Sequence, residues 1–403
     1  MTSAVASHRR ALGILFLAVL TNLIGFGIII PLLPFYGQAM GASELQIGLL
    51  FASFSVAQLL SSPVWGTLSD RYGRKPFLLL GLLGAAAGFV IMALAPSLEW
   101  LFIARLVDGA CGGMIATVRA YLSDVLEERE RARGFGFIGA AFGIGFIAGP
   151  ALGSLLVQWN LKAPAWAAAA LSMLAAAVVL LWLPEPSQHR PLQRGILVRR
   201  FAELWGLPAL RPLLLFDLLY WSCQAVYQTG FALFLHRRFG ASEAQVGALL
   251  AVAGGIGVLT QLVLVGRVTR RWGETRTLVV GTLLAALGLG AAALVPTIPL
   301  FVLCLVPAAV GAGLASPALL SLLSRTTPQP LQGSLQGVTT SLESFARIVG
   351  PIWGNGLLQF GLSLPFLSAA AVLLGVSVAA GQYHERYALA PDATAQSPAE
   401  RVG

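Results

Sequence analysis

The sequence predicts an all-α membrane protein with twelve transmembrane helices arranged as two pseudo-symmetric six-helix bundles. Three observations carry this. Of 403 residues, 57% are hydrophobic and 11% charged, and the mean hydropathy is +0.80; an ordinary soluble domain carries about 25% charged residues. Twelve apolar runs are each close to the roughly 20 residues that a helix needs to cross the hydrocarbon. Finally, the chain repeats itself: Gly41-Ala42-Ser43-Glu44-Leu45-Gln46-Ile47-Gly48 recurs 199 residues later as Gly240-Ala241-Ser242-Glu243-Ala244-Gln245-Val246-Gly247, with six of the eight positions identical. Gly66 and Gly73 fall on Gly266 and Gly273, and Gly149-Pro150-Ala151-Leu152-Gly153 falls on Gly350-Pro351-Ile352-Trp353-Gly354. Duplicated halves are a common construction in secondary transporters.

In order, the runs lie near 11–36, 45–66, 77–95, 99–122, 134–157 and 164–183, then near 211–235, 244–266, 277–295, 299–322, 334–358 and 363–382. Prolines punctuate their ends: Pro31 and Pro34, Pro96, Pro184 and Pro186, Pro296 and Pro299. The predicted organisation is a first bundle over 1–187, a cytoplasmic linker over 188–208 with Arg190, Arg194, Arg199 and Arg200, a second bundle over 209–384, and a cytoplasmic tail over 385–403 expected to be disordered. The first run follows Arg9-Arg10 but is too long for a cleavable signal and ends in Pro31-Leu32-Leu33-Pro34 instead of a small-residue cleavage site.

Basic residues set the expected orientation, because short Lys/Arg-rich loops stay cytoplasmic. With the amino terminus inside, the inner loops collect Arg71, Arg74, Lys75, Arg129, Arg131, Arg133, the linker arginines, Arg267, Arg270, Arg271, Arg276 and Arg325. The outer loops hold Lys162, Arg237 and Arg238. Both termini are thus expected in the cytoplasm, and the net charge of +9 matches an anionic inner leaflet without invoking nucleic acid. Cys111, Cys223 and Cys304 lie in separate predicted helices, with neither disulfide nor metal spacing, and His8, His189, His236 and His384 fall in tails or loops. No metal site and no cofactor is implied. Gly134-x-Gly136-x-x-Gly139 spells a dinucleotide fingerprint but follows no strand. No nucleophile, base and orienting group converge, which argues against an enzyme.

A charge at the bilayer centre costs about 2.5–3.5 kcal/mol on insertion scales, so charges inside the runs are the best site evidence. They are Arg105, Asp108 and Arg119 in helix 4, Asp217 in helix 7, and Glu343 and Arg347 in helix 11. Arg105/Asp108 and Glu343/Arg347 are spaced to share a helix face, which fits proton handling and equally fits structural ion pairs. Asp217 stands alone and near a helix end. Between helices 2 and 3, Gly66 and Gly73 permit a close backbone turn and Asp70 sits where a carboxylate can accept backbone N–H groups; a merely topogenic basic loop is the plainer alternative. In helix 5, Gly145 and Gly149 allow close helix contact and Pro150 allows a bend.

Gly66-x-Leu68-x-Asp70-Arg71-x-Gly73-Arg74-Lys75 resembles the loop 2–3 signature of the major facilitator superfamily, and the six-plus-six plan agrees over almost the whole chain. Gly136, Gly145, Gly149, Pro150 and Gly153 resemble the family's helix-5 antiporter pattern, with Ser154 replacing its last glycine. Asn22-x-x-Gly25-x-Gly27-x3-Pro31-x2-Pro34 is similar to the first helix of drug:proton antiporters such as tetracycline efflux pumps, with Asn22 in place of an aspartate. Arg105-Leu106-Val107-Asp108-Gly109 resembles the family's helix-4 arginine motif, with aspartate replacing glutamine.

The resemblance implies the major facilitator fold, alternating access and proton-coupled efflux of small amphipathic or drug-like molecules, hence antibiotic resistance, in a plasma (inner) membrane protein expected to be monomeric. It implies a cytoplasmic gate of Gly66, Asp70, Arg71, Gly73 and Arg74 with Asp124, and a central cavity whose substrate contacts would come from Asn22, Phe26, Tyr36, Gln58, Tyr220, Gln224, Tyr227, Gln228 and Trp353; the charges inside the runs make Asp108 and Arg105, then Glu343 and Asp217, the expected proton-coupling residues. The competing expectations are proton-coupled uptake of a small metabolite on the same fold and a non-transporting receptor or scaffold.

Overall fold

In hydrocarbon a backbone must satisfy its own hydrogen bonds, and the helix does so within one segment. The computed structural model describes residues 2–125, 128–186, 197–383 and 385–386, and their side chains apart from 2–9, 123, 128–139, 142, 197–200 and 330. Among these residues there is no strand. The first half contains α1 (Thr2–Ile29), α2 (Leu33–Ala39), α3 (Glu44–Tyr72), α4 (Arg74–Leu94), α5 (Leu98–Ala110), α6 (Met114–Val125), α7 (Glu128–Leu156) and α8 (Ala163–Trp182). After α9 (Leu197–Trp205), the second half contains α10 (Leu210–Phe239), α11 (Glu243–Thr260), a π-helical turn (Gln261–Val265), α12 (Gly266–Ala292), α13 (Ile298–Thr326), α14 (Gln332–Leu358) and α15 (Leu364–Tyr383). The linker residues 188–196, Glu127, His384 and the tail beyond Arg386 lie outside the described residues.

Eight described stretches are long and apolar enough to cross a membrane by length and composition, and one of them runs 50 residues from α11 through the kink at Gly273. α10 and α14 are not among the eight. Asp217, Gln224 and Gln228 lower the hydropathy of one, and Glu343, Arg347 and Asn355 that of the other.

Several elements differ from the sequence reading. The first run is two helices, because Pro31 stops α1 and α2 restarts after it. The run at 99–122 is broken between α5 and α6, where Gly109, Gly112 and Gly113 cluster. Side chains of α3 close that break: Gln58 Nε2 donates to the Gly112 carbonyl at 3.0 Å and Trp65 Nε1 to that of Ala110 at 2.6 Å. The segment from Gly66 to Tyr72 is not a loop but the last turns of α3, and a Cβ at Gly66 would meet nothing within 4 Å, so the expected close turn there is absent. The break in direction is confined to Gly73, at φ +104°.

The repeated octapeptide proves to be a helix start. Gly41 and Gly240 have positive φ, and Ser43 and Ser242 each cap a helix reciprocally with Gln46 and Gln245. The same repeat closes the molecule at one end. A Cβ at Gly48 would lie 2.6 Å from the Pro351 carbonyl oxygen, and one at Gly247 2.8 Å from that of Pro150. Thus each copy of the octapeptide packs on the other half's copy of the Gly-Pro motif, through α3 against α14 and α11 against α7. Small residues allow such approach, and in lipid this dispersion contact is a main source of helix association. Glu44 and Arg237 form an ion pair between the halves at this same end.

Candidate functional site

Arg105 and Asp108 lie one turn apart at the end of α5 and pair at 3.1 Å, at 2% and 7% relative exposure. The guanidinium lies 4.3 Å from the centre of the Phe54 ring and 6.0 Å from that of Phe26, a cation–π arrangement. Its Nε has no hydrogen-bond partner among the described residues. Beside the pair is a narrow pocket of about 30 Å³, partly open, lined by Asn22, Phe26, Phe54, Gln58, Phe89 and Asp108 among others. Its lining thus brings together one buried carboxylate, two amides and three aromatic rings.

Asn22, Phe26 and Gln58, expected as substrate contacts, are therefore brought together with Asp108. Gln58 also spends its amide N–H on the Gly112 carbonyl, so it supports the break in helix 4 as well as lining the pocket. The second-half candidates lie elsewhere. Tyr220 donates to the Ala312 carbonyl at 3.1 Å, Tyr227 packs edge-on to Phe231, and Trp353 packs on the second half's core cluster. Gln224 and Gln228 are half-buried along α10. Tyr36 donates to the Leu161 carbonyl at 2.5 Å and is itself buried.

Glu343 and Arg347 stand 4.0 Å apart on α14 and are each about one-third exposed. Arg119 of the first half lies within electrostatic reach of Glu343, which makes this a charge cluster shared by both halves. Asp217, two turns into α10, is buried at 5% exposure. It faces Trp221 and the field of Glu343, and its Oδ2 has no hydrogen-bond partner among the described residues.

At the far end of α3, Arg74 is fully buried and tied three ways: its Nε to Asp124 at 2.8 Å, and its Nη1 to Asp70 and, at 2.8 Å, to Ser69. Glu185, which no motif flagged, accepts the backbone N–H of Arg74 at 2.5 Å and of Lys75 at 2.9 Å. A carboxylate from the chain after α8 thus caps α4, the favourable charge for a helix start. A Cβ at Gly73 would lie 2.8 Å from Glu185 Oε1, so that glycine meets both a conformational and a steric demand. Arg71 lies over the Tyr72 ring, 5.3 Å from its centre. These bonds join elements of the first half to one another. The Gly48–Pro351, Gly247–Pro150 and Glu44–Arg237 contacts between the halves lie at the opposite end of α3 from the Asp70 cluster.

In helix 5, Gly145, Gly149 and Gly153 face α1: Cβ atoms there would lie 2.6 Å from Leu23 Cβ, 2.7 Å from Gly27 Cα and 3.0 Å from the Ile28 carbonyl oxygen. Pro150 turns its carbonyl to Gly247 of the other half. The surroundings of Gly136 lie outside the described residues.

The family described as Major Facilitator Superfamily matches residues 15–351 and 219–398. The chain is 31% identical over 346 residues to the class B tetracycline resistance protein of Escherichia coli, covering 83% of this chain and 84% of that protein. It is 36% identical to the class G tetracycline resistance protein of Vibrio anguillarum (81% and 85% covered) and 29% identical to multidrug resistance protein 1 of Bacillus subtilis strain 168 (89% and 94% covered). Among solved structures it superposes on the nucleoside transporter NupG with a TM-score of 0.77 at 15% identity, over 93% of this chain and 99% of that one. On the human organic anion transporter TETRAN the TM-score is 0.69 at 24% identity, over 93% and 99%.

Proposed function

The chain belongs to the Major Facilitator Superfamily, and on that premise we propose that it is a proton-coupled exporter of small amphipathic, drug-like molecules working by alternating access. The observation that carries this reading is the buried Arg105–Asp108 pair opening onto an aromatic-lined pocket. A carboxylate facing its own counter-ion holds or releases a proton according to the field of the guanidinium and the access of water. A guest bound beside the pair changes both, so one site couples cargo and proton without a cofactor. The relatives named for tetracycline and multidrug resistance support export of such molecules over uptake of a metabolite.

In this reading the two halves make twelve crossings of the plasma (inner) membrane as a monomer, with both termini and the Asp70 cluster in the cytoplasm. The outer end is then closed by the paired Gly48–Pro351 and Gly247–Pro150 contacts. Glu343, Arg347 and Arg119 form the second charge cluster, and Asp217 lies behind it. Asp70, Arg74 and Asp124 set the position of α3 as the cytoplasmic end closes.

The test is uptake of lipophilic cations and tetracyclines into inverted membrane vesicles energised by a proton gradient, with intact protein and with Asp108→Asn. The expected result is loss of proton-driven uptake, with substrate binding and thermal stability retained. Undiminished uptake by the variant removes Asp108 from the mechanism.

A further inference from the structure

Between the halves lies an element that none of the transport chemistry uses. α9 runs over Leu197–Trp205 in the linker, just before the first residue of α10. Its Leu204 is fully buried in the second half's core cluster with Leu210, Leu213 and Leu214, and the helix packs on α10 and α14. Arg211 Nε donates to the Trp205 carbonyl and ties the end of α9 to the foot of α10. This anchorage leaves half the apolar face uncovered. Phe201 and Trp205 stack on each other, ring centres 5.5 Å apart and 19° from parallel, yet remain 36% and 40% exposed. The sequence of α9 carries two arginines, Arg199 and Arg200, and one acid, Glu203.

We infer that α9 is a surface helix that binds acidic phospholipid headgroups, seating its Phe201–Trp205 face in the bilayer that the rest of the chain spans. An interfacial helix buries aromatic and aliphatic side chains at the acyl boundary and offers arginines to anionic lipid. α9 has that composition, and its buried edge fixes it beside α10 where that helix begins. Tryptophan belongs at this level, since its ring is apolar and its N–H seeks water or headgroup oxygens. The excess of arginine over acid in and beside α9, Arg199, Arg200 and Arg211 against Glu203, selects an anionic leaflet over a protein partner. A basic residue near such a surface enriches acidic lipid about fivefold. This rests on the chain spanning a membrane and not on what it transports, so it stands or falls separately from the export reading.

The test is fluorescence of the full-length protein in vesicles containing either brominated phosphatidylglycerol or brominated phosphatidylcholine at equal mole fraction. Subtracting the Trp205→Phe variant isolates the Trp205 emission from the other tryptophans. Its quenching should be about twofold or more stronger with the acidic lipid, and Arg199→Gln with Arg200→Gln should erase the difference while leaving quenching by phosphatidylcholine unchanged. Equal quenching by both lipids in the parent protein, or quenching by neither, overturns the inference.

Discussion

The two hinges of the duplicated chain differ in sign and in depth. Asp70, Gly73, Arg74 and Asp124 of the first half correspond to Arg270, Gly273, Glu274 and Arg325 of the second, so each charge is inverted. The architecture is nevertheless kept: Gly73 and Gly273 have φ of +104° and +76°, and the next residue makes an ion pair to the foot of a neighbouring helix, Arg74 to Asp124 at 2.8 Å and Glu274 to Arg325 at 3.0 Å. What differs is burial. Side chains of Arg74 and Asp124 are 0% and 1% exposed, whereas those of Arg325 and Glu274 are 72% and 15% exposed. The fold requires a glycine break and a tie across two helices, and either polarity supplies the tie. Its energetic weight depends on what covers it. In the first half the segment after α8 does so, with Tyr121 holding the Pro184 carbonyl at 2.6 Å and Glu185 capping α4.

The comparison is broken most forcefully at Arg74. Arg74→Ala breaks the buried pair with Asp124 and should cost about 3–5 kcal/mol, read as a fall in thermal stability in detergent together with lost transport. Reversing the first hinge to the second's polarity, by Asp70→Arg, Arg74→Glu and Asp124→Arg together, should recover much of the loss of Arg74→Glu alone; no recovery would show that sign matters as well as pairing. Gly73→Ala should cost more than Gly273→Ala, since both positions impose backbone strain of about 1–3 kcal/mol but only the first would drive a methyl into Glu185. Glu185→Ala removes a helix cap, for about 1 kcal/mol. The smallest effect belongs to Glu274→Gln, within about 1 kcal/mol for so exposed a partner. That effect should vanish at high salt, while the Arg74 effect persists.

The hinge was legible as a distinct charged stretch between apolar runs, but not in its local form. Glycine at 66 reads as a breaker, yet α3 continues through it, because a helix leaving the bilayer keeps its own hydrogen bonds and nothing packs close to that glycine. Helix 4 read as one apolar run, since apolarity does not distinguish a continuous helix from one interrupted at Cys111–Gly113. The glycines at 109, 112 and 113 were the available signal. Gln58 and Asn22 line the pocket beside Asp108, whereas Tyr220 and Tyr227 pack within the second half. Glu185 carried no local signal at all: it lies 111 residues from the N–H it caps.

The sequence by itself determined the solvent, the helical class, the duplication and the few charged residues that lie inside the apolar runs. Those follow from composition and periodicity, which hydrocarbon constrains at every position independently. Tertiary structure alone decided which charges meet, that the two repeated motifs pack on one another across the halves, and that one hinge is buried while its inverted copy is exposed. Such outcomes depend on contacts between residues far apart in the chain, and their strength is set by how completely neighbouring helices exclude water, a property that no segment possesses alone.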